Sequence, residues 1–166
     1  MECKILKWRI EDAQSLAMAL DNERVQANLR DGIPLPYTVE DAEAYINMML
    51  SDDEAYVYAI TVDDKAIGSI GAFRKENIHS RTAEMGYYIS EQYWGQGLMT
   101  SAVRQTCERI FANTDIVRIF AIPFSYNEAS CRVLEKAGVV KEGVMRKNAF
   151  KRGQFLDTIL YALVKD

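Results

Sequence analysis

Two glycines separated by one residue stand directly before a predicted helix. The segment 89–98 reads ISEQYWGQGL, and Gly95 and Gly97 precede a helical pattern that begins at Leu98. Glycine lets a backbone approach a ligand closely, and the first amides of a helix carry a partial positive charge without a partner inside the helix. The spacing therefore predicts an anion site that suits a pyrophosphate. The alternative is a tight turn in which the glycines only relieve backbone strain.

Other phosphate-binding patterns are not favoured by this segment. It lacks the Gly-x-Gly-x-x-Gly spacing of dinucleotide sites and the Gly-Lys-Ser/Thr ending of nucleoside-triphosphate loops. The only histidine, His79, lies in a polar connection, where a surface role is expected rather than a catalytic one.

Several segments around the glycines resemble one protein family. Residues 92–97, QYWGQG, resemble the Gln/Arg-x-x-Gly-x-Gly/Ala acetyl-coenzyme A signature of the GNAT N-acetyltransferases. Residues 83–89 resemble the fourth strand of that family, and residues 127–138 resemble the next helix of its RimJ/RimL-type branch. Residues 36–42 are similar to the entry of the family's second helix, and residues 157–163 to its last strand. The resemblance thus extends over nearly the whole chain.

This resemblance implies acetyl-coenzyme A as the cosubstrate and no metal. The implied coenzyme-binding residues are Tyr88, Ile89, Gln92, Trp94, Gly95, Gln96, Gly97, Leu98, Met99 and Asn127. The amides of 92–98 would hold the pyrophosphate, and the backbone of Tyr88 and Ile89 would bind the pantetheine arm like an added strand. Asn127 would contact the coenzyme from the other side, and its alternative role is that of a helix cap only.

Glu84 is the candidate general base. Transfer to an amine needs a deprotonated amine, a polarised thioester carbonyl and a way to protonate the departing thiolate. Alternation along the strand places Glu84 on one face with Gly86 and Tyr88, where its carboxylate could take the amine proton through water. The alternative is a solvated or ion-paired carboxylate.

Ser130 is the candidate group at the sulfur. Some relatives carry a tyrosine as the thiolate acid on the helix after Asn127, but this chain has Leu134 at that position. A serine hydroxyl is a weak acid, so Ser130 is expected to relay a proton or hydrogen-bond the sulfur. Some RimL-like enzymes also have a carboxylate between the last two strands, where this chain has Asn148-Ala149.

Composition excludes several other classes of protein. The 166 residues are 49% apolar and 27% charged, which is typical of one folded domain, expected here to span residues 1–166. The net charge of −4 disfavours nucleic acid and anionic lipid as partners. Three cysteines without a Cys-x-x-Cys pair indicate neither a disulfide framework nor a zinc site, and they favour the cytoplasm. No apolar run is long enough for a signal peptide or a membrane span.

Periodicity predicts the elements that position these residues. Strands are predicted at 3–8, 55–62, 65–74, 82–90, 116–122, 139–145 and 155–164. Helices are predicted over 13–29, broken near Asp21-Asn22, and over 39–50, 98–111 and 128–137. The run 116–122 is nearly all apolar, as expected for a strand covered on both faces. Residues 146–153 are expected to form a basic link. The fold class is α/β (α+β): a GNAT-like, mixed and mostly antiparallel sheet of about seven strands flanked by about four helices.

The predicted function is transfer of an acetyl group from acetyl-coenzyme A to a primary amine by direct attack. The acceptor is a protein N-terminus or a small molecule such as a polyamine, an amino acid or an antibiotic, and the protein is a monomer or homodimer. The alternative is an acyl-coenzyme A-binding sensor without catalysis. The acceptor is expected to enter between residues 30–37 and 146–153. The second segment holds Arg146, Lys147, Lys151 and Arg152 without an intervening acid, which favours an acidic acceptor; the alternative is that this basic link is only solvated surface.

Overall fold

Seven strands form one mixed sheet, as predicted. A computed structural model describes all 166 residues of the chain. The strands are β1 (Lys4–Leu6), β2 (Tyr56–Val62), β3 (Lys65–Arg74), β4 (Thr82–Ile89), β5 (Arg118–Ala121), β6 (Val140–Lys151) and β7 (Gln154–Val164). Their order across the sheet is β1-β2-β3-β4-β5-β7-β6, and only the central pair β4–β5 is parallel.

Five helices pack on the sheet. They are α1 (Ala13–Leu20), the single turn α2 (Glu23–Gln26), α3 (Val39–Leu50), α4 (Leu98–Asn113) and α5 (Glu128–Lys136). The predicted break near Asp21-Asn22 separates α1 from α2, because the Asn22 side chain caps α2. Thr38 and Asp41 form the predicted capping box of α3. Gly138, with φ of +89°, follows the end of α5, as expected for a glycine stop.

The helices form two layers, one on each face of the sheet. A core of 23 buried residues lies under α4 and α5, and it includes Met85 and Ile89 of β4. A second core of 12 buried residues lies under α1, α2 and α3, and Tyr88 packs against it. Neighbouring residues of β4 therefore point to opposite layers, and a functional group on this strand belongs to one side or the other.

The prediction of a β5 covered on both faces is wrong. The strand spans only Arg118–Ala121, and burial alternates, with Ile119 and Ala121 buried and the residues beside them half-buried. The second core contains no residue of β5, so the helices α1–α3 leave this strand uncovered.

The predicted basic link is also corrected. β6 continues to Lys151, and only Arg152 and Gly153, both with positive φ, form the turn to β7. Two central residues of positive φ are the type I′ geometry that matches the twist of a hairpin. A bulge at 146–148 interrupts the pairing, and there the amide of Lys147 donates to the Asp157 carboxylate at 2.7 Å. Residues 146–153 are polar and lack the apolar alternation by which a strand is predicted. They still belong largely to a strand, because the bulge interrupts the alternation and the hydrogen bond to Asp157 holds the chain there.

Candidate active site

A cleft opens where β4 and β5 separate. The parallel pairing covers only three positions and ends at Glu84 opposite Phe120. On its other edge, β4 stays paired with β3 as far as Ile89 opposite Gly68. The chain beyond β5 follows β7 instead, since the Ser125 amide donates to the Asp157 carbonyl at 2.9 Å. We call the space between 85–89 and 121–125 the cleft.

The register decides which backbone groups of β4 face the cleft. The Ser90 amide donates to the Ile67 carbonyl across β3 at 2.8 Å, so even-numbered residues of β4 turn their amides and carbonyls toward β3. Tyr88 therefore directs its backbone groups at β3. Tyr87 and Ile89 direct theirs toward the cleft, where no neighbouring strand pairs with them; the Ile89 carbonyl accepts from the Trp94 indole, and the Ile89 amide and both groups of Tyr87 stay free. This free edge suits an extended ligand that binds like a strand.

The glycine loop meets the mouth of the cleft at the start of α4. Gly95 and Gly97 have φ of +72° and +77°, a conformation that favours glycine. No side chain caps α4, whereas Asn22, Thr38 and Asn127 cap α2, α3 and α5. The first amides of α4 are therefore left for a ligand, and the helix places its positive end there.

Side chains of the loop hold it in place rather than reach outward. The Trp94 indole donates to the Ile89 carbonyl at 2.9 Å, and the Gln96 amide group donates to the Gln92 carbonyl at 3.1 Å. Leu98 and Met99 are buried in the core, so these two residues offer a ligand only their backbone.

A contact that the sequence did not predict ties the loop to α2. The Glu91 carboxylate accepts a hydrogen bond from the Asn22 amide group at 2.8 Å, and it forms an ion pair with Arg24. The Arg24 guanidinium also lies 5.4 Å from the centre of the Trp94 ring. No periodic signal links residues so far apart in sequence. The arrangement neutralises a carboxylate next to the predicted anion site.

Glu84 lies at the vertex of the cleft. It is the last residue of β4 that pairs with β5, its side chain is about one-third exposed (35%), and the Lys75 ammonium lies 3.7 Å from its carboxylate. This long, partly exposed ion pair contributes little to stability. Gly86, next on the same face, has open space where a side chain would stand.

Ser130 lies on the opposite face, in the first turn of α5. The Asn127 side chain accepts from the Ser130 amide at 3.2 Å, so Asn127 caps α5, and its contact with the coenzyme stays a prediction. The Ser130 hydroxyl lies 2.5 Å from the hydroxyl of Tyr87. Burial raises the pKa of Tyr87 to about 12. Leu134 is fully buried, and it presents no polar group at the position where relatives carry a tyrosine.

Tyr87 is a site residue that the sequence patterns did not single out. Its position on β4 could be read from the sequence, but its contact joins residues 43 positions apart and depends on how α5 packs on the sheet. Asp157 is a second carboxylate that no sequence motif marks. It lies opposite the bulge in β6 and is engaged by the Lys147 amide.

Two contacts hold the segment 27–31 against Tyr126 and Lys151, beside the entrance predicted for the acceptor. Lys151, buried to 8% exposure, places its ammonium 2.8 Å from the Asp31 carboxylate. The Tyr126 hydroxyl donates to the Ala27 carbonyl at 2.6 Å. We call these residues, with the segment 27–31, the bridge. The link 146–153 has no acid of its own, but the expectation that its four cations all stand unpaired is corrected, since Asp31 pairs with Lys151. Asp157 accepts only from the backbone amide of Lys147.

The structure offers neither a cluster of metal-ligating side chains nor a helix fit to cross a membrane. No group of three or more His, Cys, Asp and Glu side chains is placed to hold a metal ion. None of the helices combines the length and the apolar character that a membrane crossing demands.

Comparison with known proteins supports one family. Residues 4–140 match the acetyltransferase (GNAT) domain family. The probable N-acetyltransferase YjcK of Bacillus subtilis is 36% identical over 133 residues, which are 77% of this chain and 74% of that protein. A ribosomal-protein-serine acetyltransferase of Escherichia coli is 30% identical over 113 residues, or 68% of this chain and 62% of that one.

Solved structures show the same fold. The RimJ protein of Mycobacterium smegmatis, in complex with a coenzyme A disulfide, superposes with a TM-score of 0.87 at 19% identity, over 98% of this chain and 81% of that one. The expectation of a GNAT fold with RimJ/RimL-type neighbours is thus confirmed. The chain belongs to the GNAT acetyltransferase family, and it is an N-acetyltransferase whose acetyl donor is acetyl-coenzyme A.

Proposed function

We propose that this enzyme acetylates a primary amine by direct attack of the amine on the thioester, in the cleft between β4 and β5. The observation that carries the proposal is the free edge of β4, which runs from the uncapped start of α4 to Glu84. The amides of 95–98 bind the pyrophosphate, and the backbone of Tyr87 and Ile89 binds the pantetheine arm. In this assignment Tyr88 contributes its side chain to the opposite layer.

Opposite faces of β4 serve the two halves of the reaction. Glu84 takes the proton of the amine on the side of α1–α3, directly or through water. Ser130 stands on the side of α4 and α5 and hydrogen-bonds the departing sulfur. No nucleophile of the enzyme is needed, because the amine attacks the thioester carbon itself.

A catalytically inactive coenzyme sensor is the second candidate, and the buried Leu134 favours it because α5 offers no phenol to the thiolate. Incubation of the purified protein with acetyl-coenzyme A and a panel of amines separates the two. The panel contains peptides with free N-termini, amino acids, spermidine and an aminoglycoside. An enzyme releases coenzyme A with one of them, and mass spectrometry then identifies the acetylated nitrogen. Coenzyme binding without turnover of any amine would support the sensor.

We further propose that the acceptor is a protein N-terminus or a small amine with acidic character. The ribosomal-protein acetyltransferase among the relatives supports a protein acceptor. Exposed Arg146 and Arg152 remain near the bridge after Lys151 and Asp31 neutralise each other. The odd number of cysteines supports a cytoplasmic location.

Replacement of Arg146 and Arg152 by Ala tests the acceptor's charge. The double variant should lose kcat/KM with acidic peptides, more strongly at low salt, and should keep its rate with neutral peptides. Arg132→Ala, an exposed arginine elsewhere on the surface, is the matched control. Efficient acetylation of spermidine by the unaltered protein would contradict the preference.

A further inference from the structure

We infer that Tyr87 is a positioning residue for catalysis: it donates its phenolic proton to the Ser130 hydroxyl and leaves the serine's own proton to bind the departing sulfur. This inference rests on the proposed function, because it takes Ser130 to be the group beside the thiolate. It assigns to a strand residue a role that the sequence did not indicate.

The distances favour one of the two possible directions of the hydrogen bond between these hydroxyls. The Tyr87 hydroxyl lies 2.5 Å from the Ser130 Oγ and 3.5 Å from the Ser130 carbonyl oxygen. A phenol has one proton, and the serine oxygen is the near acceptor for it. If the serine donated instead, the buried phenol proton would be left with the distant carbonyl alone. Donation by Tyr87 gives the phenol proton its nearest acceptor and leaves the proton of Ser130 free for the sulfur.

The surroundings keep Tyr87 in the donor form. It lies on the face of β4 that packs against the core beneath α4 and α5. Burial raises the pKa of Tyr87 to about 12, so the phenol stays protonated throughout the neutral range. The backbone of Ser130 is fixed as well, because its amide donates to Asn127 at 3.2 Å. Backbone and side chain of the serine are thus both held by neighbours.

The role needs no proton to leave Tyr87. When the tetrahedral intermediate collapses, the carbon–sulfur bond breaks and its electron pair remains on sulfur. The Ser130 O–H hydrogen-bonds that thiolate, Tyr87 keeps its proton, and the released thiolate takes a proton from water. Tyr87 acts by orientation, and Ser130 by stabilising the developing charge.

The test compares Tyr87→Phe, Ser130→Ala and the double variant. Tyr58→Phe is the matched control, since it removes the hydroxyl of another partly buried tyrosine, on β2. The measurements are kcat, KM for acetyl-coenzyme A, and the thiol pKa of bound coenzyme A, followed by the ultraviolet absorbance of its thiolate. Thermal unfolding reports whether each variant is folded.

Tyr87→Phe should lower kcat about tenfold, as expected for one lost hydrogen bond, leave KM for acetyl-coenzyme A unchanged and raise the thiol pKa of the bound coenzyme. Ser130→Ala should raise that pKa at least as much. The double variant should resemble Ser130→Ala alone, because Tyr87 acts only through the serine. A purely structural tyrosine would change the unfolding temperature without changing the thiol pKa.

An unchanged kcat and thiol pKa in folded Tyr87→Phe would overturn the inference and leave the proposed function intact, and so would additive losses in the double variant. If Tyr87→Phe does not fold, the Ser130→Ala variant provides the test. An unchanged thiol pKa of coenzyme A bound to that variant would also overturn the inference. Failure of the unaltered protein to bind coenzyme A would instead overturn the proposed function, and this inference with it.

Discussion

Glu84 occupies the point where one strand edge changes from paired to free. Its carboxylate is half-buried beside Lys75, on the face of β4 that looks toward α1–α3, while Tyr87 and Ser130 meet on the other face. The alternation of β4 predicts which face each residue takes, and the structure agrees. The Tyr87–Ser130 contact could not be predicted, because it depends on where α5 lies on the sheet.

Replacement of Glu84 by Gln keeps the shape of the side chain and removes the base. We expect kcat to fall about a hundredfold, with the largest loss at a pH below the pKa of the acceptor amine, where most of the amine carries the proton to be removed. Coenzyme affinity should stay within about twofold, since the carboxylate does not contact the pyrophosphate loop.

Steady-state rates across a pH series check this expectation. Glu76→Gln, at an exposed position in the connection between β3 and β4, is the control and should behave as the unaltered enzyme. Equal rates for Glu84→Gln at every pH would show that the base lies elsewhere.

At the scale of elements, α4 supplies the coenzyme loop with its charge. The helix has 16 residues and begins at Leu98, after Gly97 as a cap residue without a side chain, so its first amides point at the mouth of the cleft. Both the glycine spacing and the apolar stripe of α4 were visible in the sequence. The β6 bulge was not, because its pairing relies on the Asp157 carboxylate instead of an apolar pattern.

Gly97→Asp tests the loop through charge. A negative charge about 8 Å from a phosphate costs about 2 kcal/mol at an effective dielectric constant of about 20, so affinity for coenzyme A should fall roughly thirtyfold. Calorimetry measures it. Gly97→Asn is the matched control, because asparagine has nearly the same shape, tolerates positive φ and carries no charge.

The two variants separate charge from backbone strain. The asparagine variant should bind far more tightly than the aspartate variant. Equal affinities in the two folded proteins would mean that no pyrophosphate lies against these amides.

At the scale of the molecule, the bridge joins a segment of the N-terminal part of the chain to residues of its C-terminal part. The N-terminal segment 27–31 is held by Tyr126, which precedes α5, and by Lys151 at the end of β6. The two segments predicted to flank the acceptor do meet here. The sequence could not predict that Asp31 and Lys151 neutralise each other's charge, because they are 120 positions apart and no local pattern indicates such a pair.

The bridge should respond differently to removal of each partner. Asp31→Ala leaves a buried ammonium without its acid, so we expect the free energy of unfolding to fall by about 1–3 kcal/mol. Lys151→Met leaves only an exposed carboxylate and fills the same space, so its cost should stay below about 1 kcal/mol. Urea denaturation gives both values. A larger loss for Lys151→Met than for Asp31→Ala would contradict the burial of the ammonium.

Direct attack by the acceptor amine is tested most directly by following the acetyl group through a single turnover. Acetyl-coenzyme A that carries a label in its acetyl group is mixed with an excess of enzyme and with an accepted amine. The reaction is quenched at a series of times, and mass spectrometry identifies the label on the intact protein and on the products. Direct attack predicts one acetylated amine for each coenzyme A released and no acetyl group on the enzyme at any time. An acetylated side chain, with Cys131 beside Ser130 as the nearest thiol in sequence, that forms and decays at the rate of turnover would contradict it.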